Sequence, residues 1–282
     1  MRRSVRWLRN GVAGLFGLIV VAALAIFAVS EMTVRRAYKE PGRPVAVPSD
    51  AASIAEGARL ARIRGCTGCH GDKLEGHMFI DEPMLARIAS PNLTVAVREY
   101  SDAQLERIIR HGIRPDNRSV VGMPSDMFSL LDDADMGKIL AYLRSVPEVS
   151  GQKRMMRPGP GGRTGIALRI FKPSAGEVRR AATLTDSFPA AGHPTARGAY
   201  LARTVCTECH GLDLNGERGT PDLRIAAGYS REQFVRLMRT GKASGDRELE
   251  LMSSAARNRF SHFTDDEIGA LHDYLLARAV NQ

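Results

Sequence analysis

The sequence predicts an all-α protein: one membrane-spanning helix followed by two small helical units of the same design. Three observations carry that prediction. An uncharged apolar run of 20 residues, Gly11 to Ser30, stands near the N-terminus. A pattern centred on C-T-G-C-H at 66–70 returns around C-T-E-C-H at 206–210. The stretches in between carry helix start and stop signals and no convincing period-two strand. The totals agree: 282 residues, 44% hydrophobic and 25% charged, fit two core-forming units rather than disorder.

The N-terminal run comes first. Arg2, Arg3, Arg6 and Arg9 precede it, and Glu31, Arg35 and Arg36 follow. As a helix it covers about 30 Å, the thickness of a bilayer core. A cleaved signal peptide is the rival, with Ala28, Val29 and Ser30 as small residues for a peptidase, but its apolar region is normally only about 7–15 residues. Residues 1–10 are therefore expected to be a cytoplasmic basic end and 11–30 an uncleaved, single-pass anchor in the cytoplasmic membrane. The rest then lies on the periplasmic side. The net charge is +9, of which those four arginines supply four. The mild remainder fits an acidic partner or a membrane surface, and no nucleic acid.

Two parallel sets of elements follow, expected at 50–147 and 195–282. Ala55–Arg62 before the first cysteine pair matches Ala196–Arg203 before the second. Ser101 with Gln104 opens a stretch with Leu105, Ile108 and Ile109 at helical spacing, closed by Gly112; Ser230 with Gln233 opens one with Phe234, Leu237 and Met238, closed by Gly241. Terminal helices follow, one with Met136, Ile139, Leu140 and Leu143 on a face, the other with Ile268, Leu271 and Leu275 behind Thr264 and Glu267. The intervening 148–194 holds five prolines and, from Lys153 to Lys172, six basic residues with no acidic one. It is expected to be a linker crossing a surface, solvated or else docked on an acidic partner or lipid headgroups.

All four cysteines fall in the two C-x-x-C-H motifs. A thioredoxin-like pair belongs in a βαβ unit, zinc wants four ligands, and a plain disulfide leaves the histidine unexplained. Covalent haem uses every position. Cys66 and Cys69, and Cys206 and Cys209, each form thioethers with the vinyl groups of one haem c, while His70 and His210 reach the irons.

With these residues in view, both units resemble class I cytochrome c domains, and the chain is similar to membrane-anchored dihaem cytochromes c of bacteria. In that family a glycine of the first helix packs on an aromatic of the last, which the resemblance puts at Gly57 with Tyr142 and Gly198 with Tyr274. The stretch Ser90-Pro91-Asn92-Leu93-Thr94 also resembles a loop of cytochrome subunits of periplasmic dehydrogenases. The sixth iron ligand in the first unit is expected to be Met123, set in an extended loop by Pro124 and lying where the family places its methionine. Met127 and the histidines are the rivals, from a field that also includes Met78 and Met84. In the second unit Met252 occupies the matching slot, against His262 and His272, and Met238 reads as core packing.

The expected function is transfer of single electrons between a periplasmic dehydrogenase, or another redox protein, and a respiratory-chain acceptor such as a quinone-linked complex or terminal oxidase. No catalytic residue set stands out. The alternatives are a dihaem subunit of a haem-copper oxidase and a catalytic dihaem enzyme, such as a peroxidase or sulfur-compound oxidase.

Overall fold

The computed structural model describes residues 2–183, 188–189, 192–217 and 219–280. Residues 184–187 and 190–191 of the expected linker, Met1, Arg218 and the last two residues lie outside the described residues.

Helix α1 runs from Arg2 to Arg35. It exceeds the charge-free run at both ends, because a helix satisfies its own backbone whether its side chains are apolar or charged. Within it Val5–Arg35 is long and apolar enough to cross a membrane, and side chains such as Phe16 and Leu24 stand more than 60% exposed. An extended strap, residues 36–49, then ties α1 to the first unit. The Tyr38 N–H donates to the Asn117 carbonyl, Arg107 donates to the carbonyls of Tyr38 and Glu40, and Arg43 grips Asp133 through both carboxylate oxygens.

The first unit contains α2 (Ala51–Ile63), α3 (Cys66–His70), α4 (Leu93–Glu99), α5 (Asp102–His111), α6 (Ser125–Phe128) and α7 (Asp133–Ser145). Its long helices start and stop where the side chains dictate. Ser101 and Gln104 form a reciprocal capping box on α5, and Gly112 closes it at φ +64°. Helices α2 and α7 cross at Gly57, where an added Cβ would collide with the Lys138 carbonyl and press on Tyr142. The core gathers Leu60, Val97, Leu105, Met136, Ile139 and Leu140.

The second unit repeats this with α10 (Ala196–Leu201), α11 (Thr207–His210), α12 (Arg231–Thr240), α13 (Glu250–Asn258) and α14 (Asp265–Val280). Ser230 and Gln233 box the start of α12, Gly241 ends it at φ +75°, and Gly198 meets the Ala270 carbonyl and Tyr274 on α14.

Two features depart from the sequence expectation. Strands β1 (Met78–Glu82), β2 (Ala86–Ala89) and β3 (Met155–Pro158) make a small antiparallel sheet in the order β1-β2-β3, although no strand is expected. The segment read as a linker from 148 is folded onto the first unit through β3, α8 (Pro160–Ala167) and α9 (Ser174–Ala182). Strands of four or five residues are too short for alternation to show, and the partner of β3 lies some 70 residues upstream, beyond any local pattern. Helix α8 packs on α1 and β2, and α9 packs on α5 and α6.

The units share an interface. Ile63 joins the second core, and Tyr200 packs against both. The buried Arg64 guanidinium donates to Asp135 at 2.8 Å, and the Tyr200 hydroxyl donates to the same carboxylate at 2.7 Å. Arg59 crosses over to Glu267 at 2.6 Å, where Arg197 also binds.

Candidate functional site

The two C-x-x-C-H motifs are built alike from the backbone outward. Each ends on a glycine with positive φ, Gly71 at +86° and Gly211 at +80°, followed by a leucine in the left-handed region, Leu74 at +60° and Leu214 at +62°. The turn lets the N–H groups of Gly76 and Gly216 donate back to the carbonyls of His70 and His210. Hydroxyls hold the motif from the other side: Ser90 donates to the Cys69 carbonyl at 2.7 Å and Thr220 to the Cys209 carbonyl at 2.6 Å.

The imidazoles are fixed the same way. His70 Nδ1 lies 3.0 Å from the Pro91 carbonyl and His210 Nδ1 2.8 Å from the Pro221 carbonyl. A nitrogen facing a carbonyl carries the proton, so Nε2 of each ring keeps its lone pair for a metal. Burial lowers the pKa of both histidines, against the pull of those carbonyls, and keeps the neutral, ligating form. Burial also pushes the Cys66 thiol up to about 11 and the Cys206 thiol up to about 12. A thiol pair used for disulfide exchange works through the thiolate, which a raised pKa disfavours. The four sulfurs are unbridged, so each is available for a thioether bond.

In the first unit Cys66, Cys69, His70 and Met123 all line one cavity of about 1480 Å³, whose lining includes apolar residues such as Leu105 and Ile139. This is more than the roughly 300–1,000 Å³ of an ordinary ligand pocket. Arg114 and Arg154 also line it. Arg114 Nε is buried without a partner, and burial followed by repulsion from Arg154 lowers the Arg114 pKa. An apolar chamber with two thiols and an imidazole at one side and two crowded guanidinium groups elsewhere fits a haem, whose macrocycle is apolar and whose propionates are anionic.

The remaining candidates sort by packing. Met127 is fully buried in the first core, Met84 is 67% exposed at the hairpin tip, and His77 stands edge-on to Phe79. In the second unit Met238 is core, as its helical position predicts. His272 is also a packing residue, stacked on Phe234 at 4.7 Å with Nε2 facing the Tyr229 carbonyl. Met252 lies in the first turn of α13, half-buried against the second core.

Several supporting groups escaped the sequence reading. The Pro91 and Pro221 carbonyls had a signal available, because Pro-Asn-Leu at 91–93 recurs as Pro-Asp-Leu at 221–223. Asn92 caps α4 by accepting from the Thr94 N–H, and Asp222 accepts from the Arg224 N–H in the same way. Arg259 had none. From the end of α13 its Nε donates to the Ile63 carbonyl at 3.0 Å, and Nη1 pairs with Glu208 at 2.8 Å. A Cβ on Gly65 would lie 3.0 Å from its Cζ. One guanidinium therefore touches the approach to Cys66 and the residue between Cys206 and Cys209, and its charge opposes the pKa rise of all four thiols. Glu208 itself lines the first unit's cavity.

The Cytochrome c family profile matches this chain twice, at residues 54–147 and 195–278. The chain belongs to the cytochrome c family. Its two helical units are thus two cytochrome c domains, each with one attachment motif. Curated relatives include the cytochrome subunit of fructose dehydrogenase from Gluconobacter japonicus, 26% identical over 84% of this chain and 54% of the relative. The cytochrome c subunit of alcohol dehydrogenase (quinone) from Gluconacetobacter polyoxogenes is 24% identical over 80% and 56%, and that from Komagataeibacter europaeus matches equally. The cytochrome c chain described here spans about half the length of these relatives.

Proposed function

We propose that this cytochrome carries single electrons from a dehydrogenase to the respiratory chain, tethered by α1 to the cytoplasmic membrane with both haem domains on the periplasmic side. Cys66, Cys69 and His70 hold one haem c, and Cys206, Cys209 and His210 the other, with Met123 and Met252 as the distal ligands. Each haem supplies a one-electron Fe(III)/Fe(II) couple. The protein's part is to fix two imidazoles by backbone carbonyls, place them in apolar surroundings, and close the open coordination position. The observation that carries the reading is the convergence of Met123 and His70 on one cavity. Position carries Met252, in the slot matching Met123. Thioether ligation favours reduced iron and raises the potential relative to bis-histidine haem. The relatives' names support a dehydrogenase as donor and a quinone among the acceptors.

Met123→Leu and Met252→Leu test the ligands. Each is expected to remove the weak far-red charge-transfer band of one oxidised haem and to open that iron to carbon monoxide when reduced. A band that survives both changes overturns the methionine assignment. Carbon monoxide binding to half the haem of the unaltered protein would favour a catalytic dihaem enzyme instead.

A further inference from the structure

Helix α8 is not placed at random along α1. Arg163 donates to Ser30 Oγ at 3.0 Å and to Glu31 at 2.9 Å, and its guanidinium lies 4.3 Å from the Phe27 ring centroid. Ser30 is fully buried by this packing, whereas α1 residues nearer the N-terminus, such as Phe16 and Leu24, are exposed. Ser30 is also the last residue of the charge-free run. If α1 spans the bilayer, α8 therefore sits where the span leaves the hydrocarbon, with its one charge, on the half-buried Arg163, already neutralised by Glu31.

The elements around α8 expose apolar side chains. The tip of the β1-β2 hairpin is held against it, with Gly159 donating to the Leu85 carbonyl and Gly161 to the Met84 carbonyl, both at 2.9 Å. Beyond α8 come Leu168 at 67% exposure and Ile170 at 61%, and the hairpin tip adds Met84 at 67%; Phe79 and Phe171, half-exposed beside them, also line the first unit's cavity. A soluble surface seldom groups so many large apolar residues. Arg157 and Arg169, which do not line the first unit's cavity, are exposed in the same segment; the acidic residues nearby are Asp81 and Glu82 on the hairpin, Asp81 being paired with Arg87.

We propose that α8, residues 168–171 and the hairpin tip form a footing in the lipid headgroup layer, with the apolar side chains among the upper acyl carbons and the arginines at lipid phosphates. Continuity with α1 points to lipid rather than to a partner protein, because the patch begins on the helix that already requires a bilayer. Apolar area and basic charge act together in such interfacial elements. The first haem domain then rests on the membrane, and the second does not. The proposal depends on α1 being a membrane span, and the test separates the two.

The full-length holoprotein is reconstituted in vesicles of phosphatidylethanolamine and phosphatidylglycerol carrying a small share of diazirine phospholipid, irradiated, digested and mapped by mass spectrometry. Lipid adducts are expected in α1, and in peptides bearing Met84, Leu168 and Ile170 at several-fold the level at Ile225 and Leu251, which are similarly exposed in the second domain. Adducts in α1 without adducts at 168–171 overturn the footing and leave the span intact. Their absence from α1 overturns the span itself. Equal labelling of Ile225 and Leu251 also overturns the footing, as does crosslinking of 168–171 in native membranes to a copurifying polypeptide and not to lipid.

Discussion

Gly57 stands nine positions before Cys66, whereas Gly198 stands eight before Cys206. The first domain spends its extra residue on a break: α2 ends at Ile63, Gly65 turns into the left-handed region at φ +80°, and α3 begins afresh. The second makes no break. Helix α10 runs on through a π turn, Ala202–Cys206, straight into α11. Downstream of the cysteines the two copies share their turn, their hydroxyl clamp and their histidine anchor. The histidine half of each motif is thus built to one pattern, while the other half is free to answer to its neighbours. At Gly65 the neighbour is the Arg259 guanidinium, which fills the space where a side chain would stand.

The sharpest way to break this comparison is to exchange the two junction residues. Gly65→Val puts a β-branched residue at positive φ, at roughly 1–2 kcal/mol or more, and displaces charge-assisted bonds of about 1.5–3 kcal/mol each. A loss of about 3 kcal/mol or more is expected in denaturant unfolding. Val205→Gly, which empties a buried place in the second core, also costs about 2–4 kcal/mol. Gly65→Val is therefore repeated in an Arg259→Ala background, where only the backbone strain of about 1–2 kcal/mol should remain. A loss from Gly65→Val undiminished by Arg259→Ala would mean that the glycine answers to the motif and not to Arg259.

Next in size is the charge pair itself. A cation disfavours ferric iron, so Arg259→Gln is expected to lower both haem potentials. Glu208→Gln removes the opposing anion and is expected to raise both, each by on the order of 1 kcal/mol. Spectroelectrochemical titration reads the two signs. Shifts of the same sign would mark structural damage, and a shift of one haem alone would remove the shared role.

The smallest expected effect is that of acid on the inter-domain pair. Burial tends to raise the Glu267 pKa, but Arg59 and the Thr264 cap hold it below the ordinary 4.5. A carboxylate depressed in the folded state stabilises fully above its unfolded pKa and loses that contribution as pH falls through the folded value. The gap in melting temperature between wild type and Glu267→Gln is therefore expected to persist at neutral pH and to narrow below about pH 4.5. A gap constant down to pH 3 would show that the pair's protonation is not linked to folding.

What the sequence disclosed was chemistry that acts locally. Ser101, Ser230 and Thr264 cap the helices that their spacing announces, Gly112 and Gly241 close two of them, and the cysteines and histidines stand together because they adjoin in the chain. What stayed hidden depends on distance. The pairing of β3 with β2, the seating of α8 on α1 and the reach of Arg259 across to Ile63 are long-range contacts with no periodic signature. The apolar face of α7 could be read, but not that Asp135 within it awaits an arginine from just beyond α2 and a tyrosine from the other domain.

That tyrosine makes the halves mutually dependent. Tyr200 is held between the two cores, and its hydroxyl satisfies a carboxylate belonging to the opposite domain. Pulled apart, each half would present a wet scar: an aromatic ring in water on one side and a half-satisfied acid beside a buried guanidinium on the other. The molecule is better thought of as one melting body than as two beads on a string.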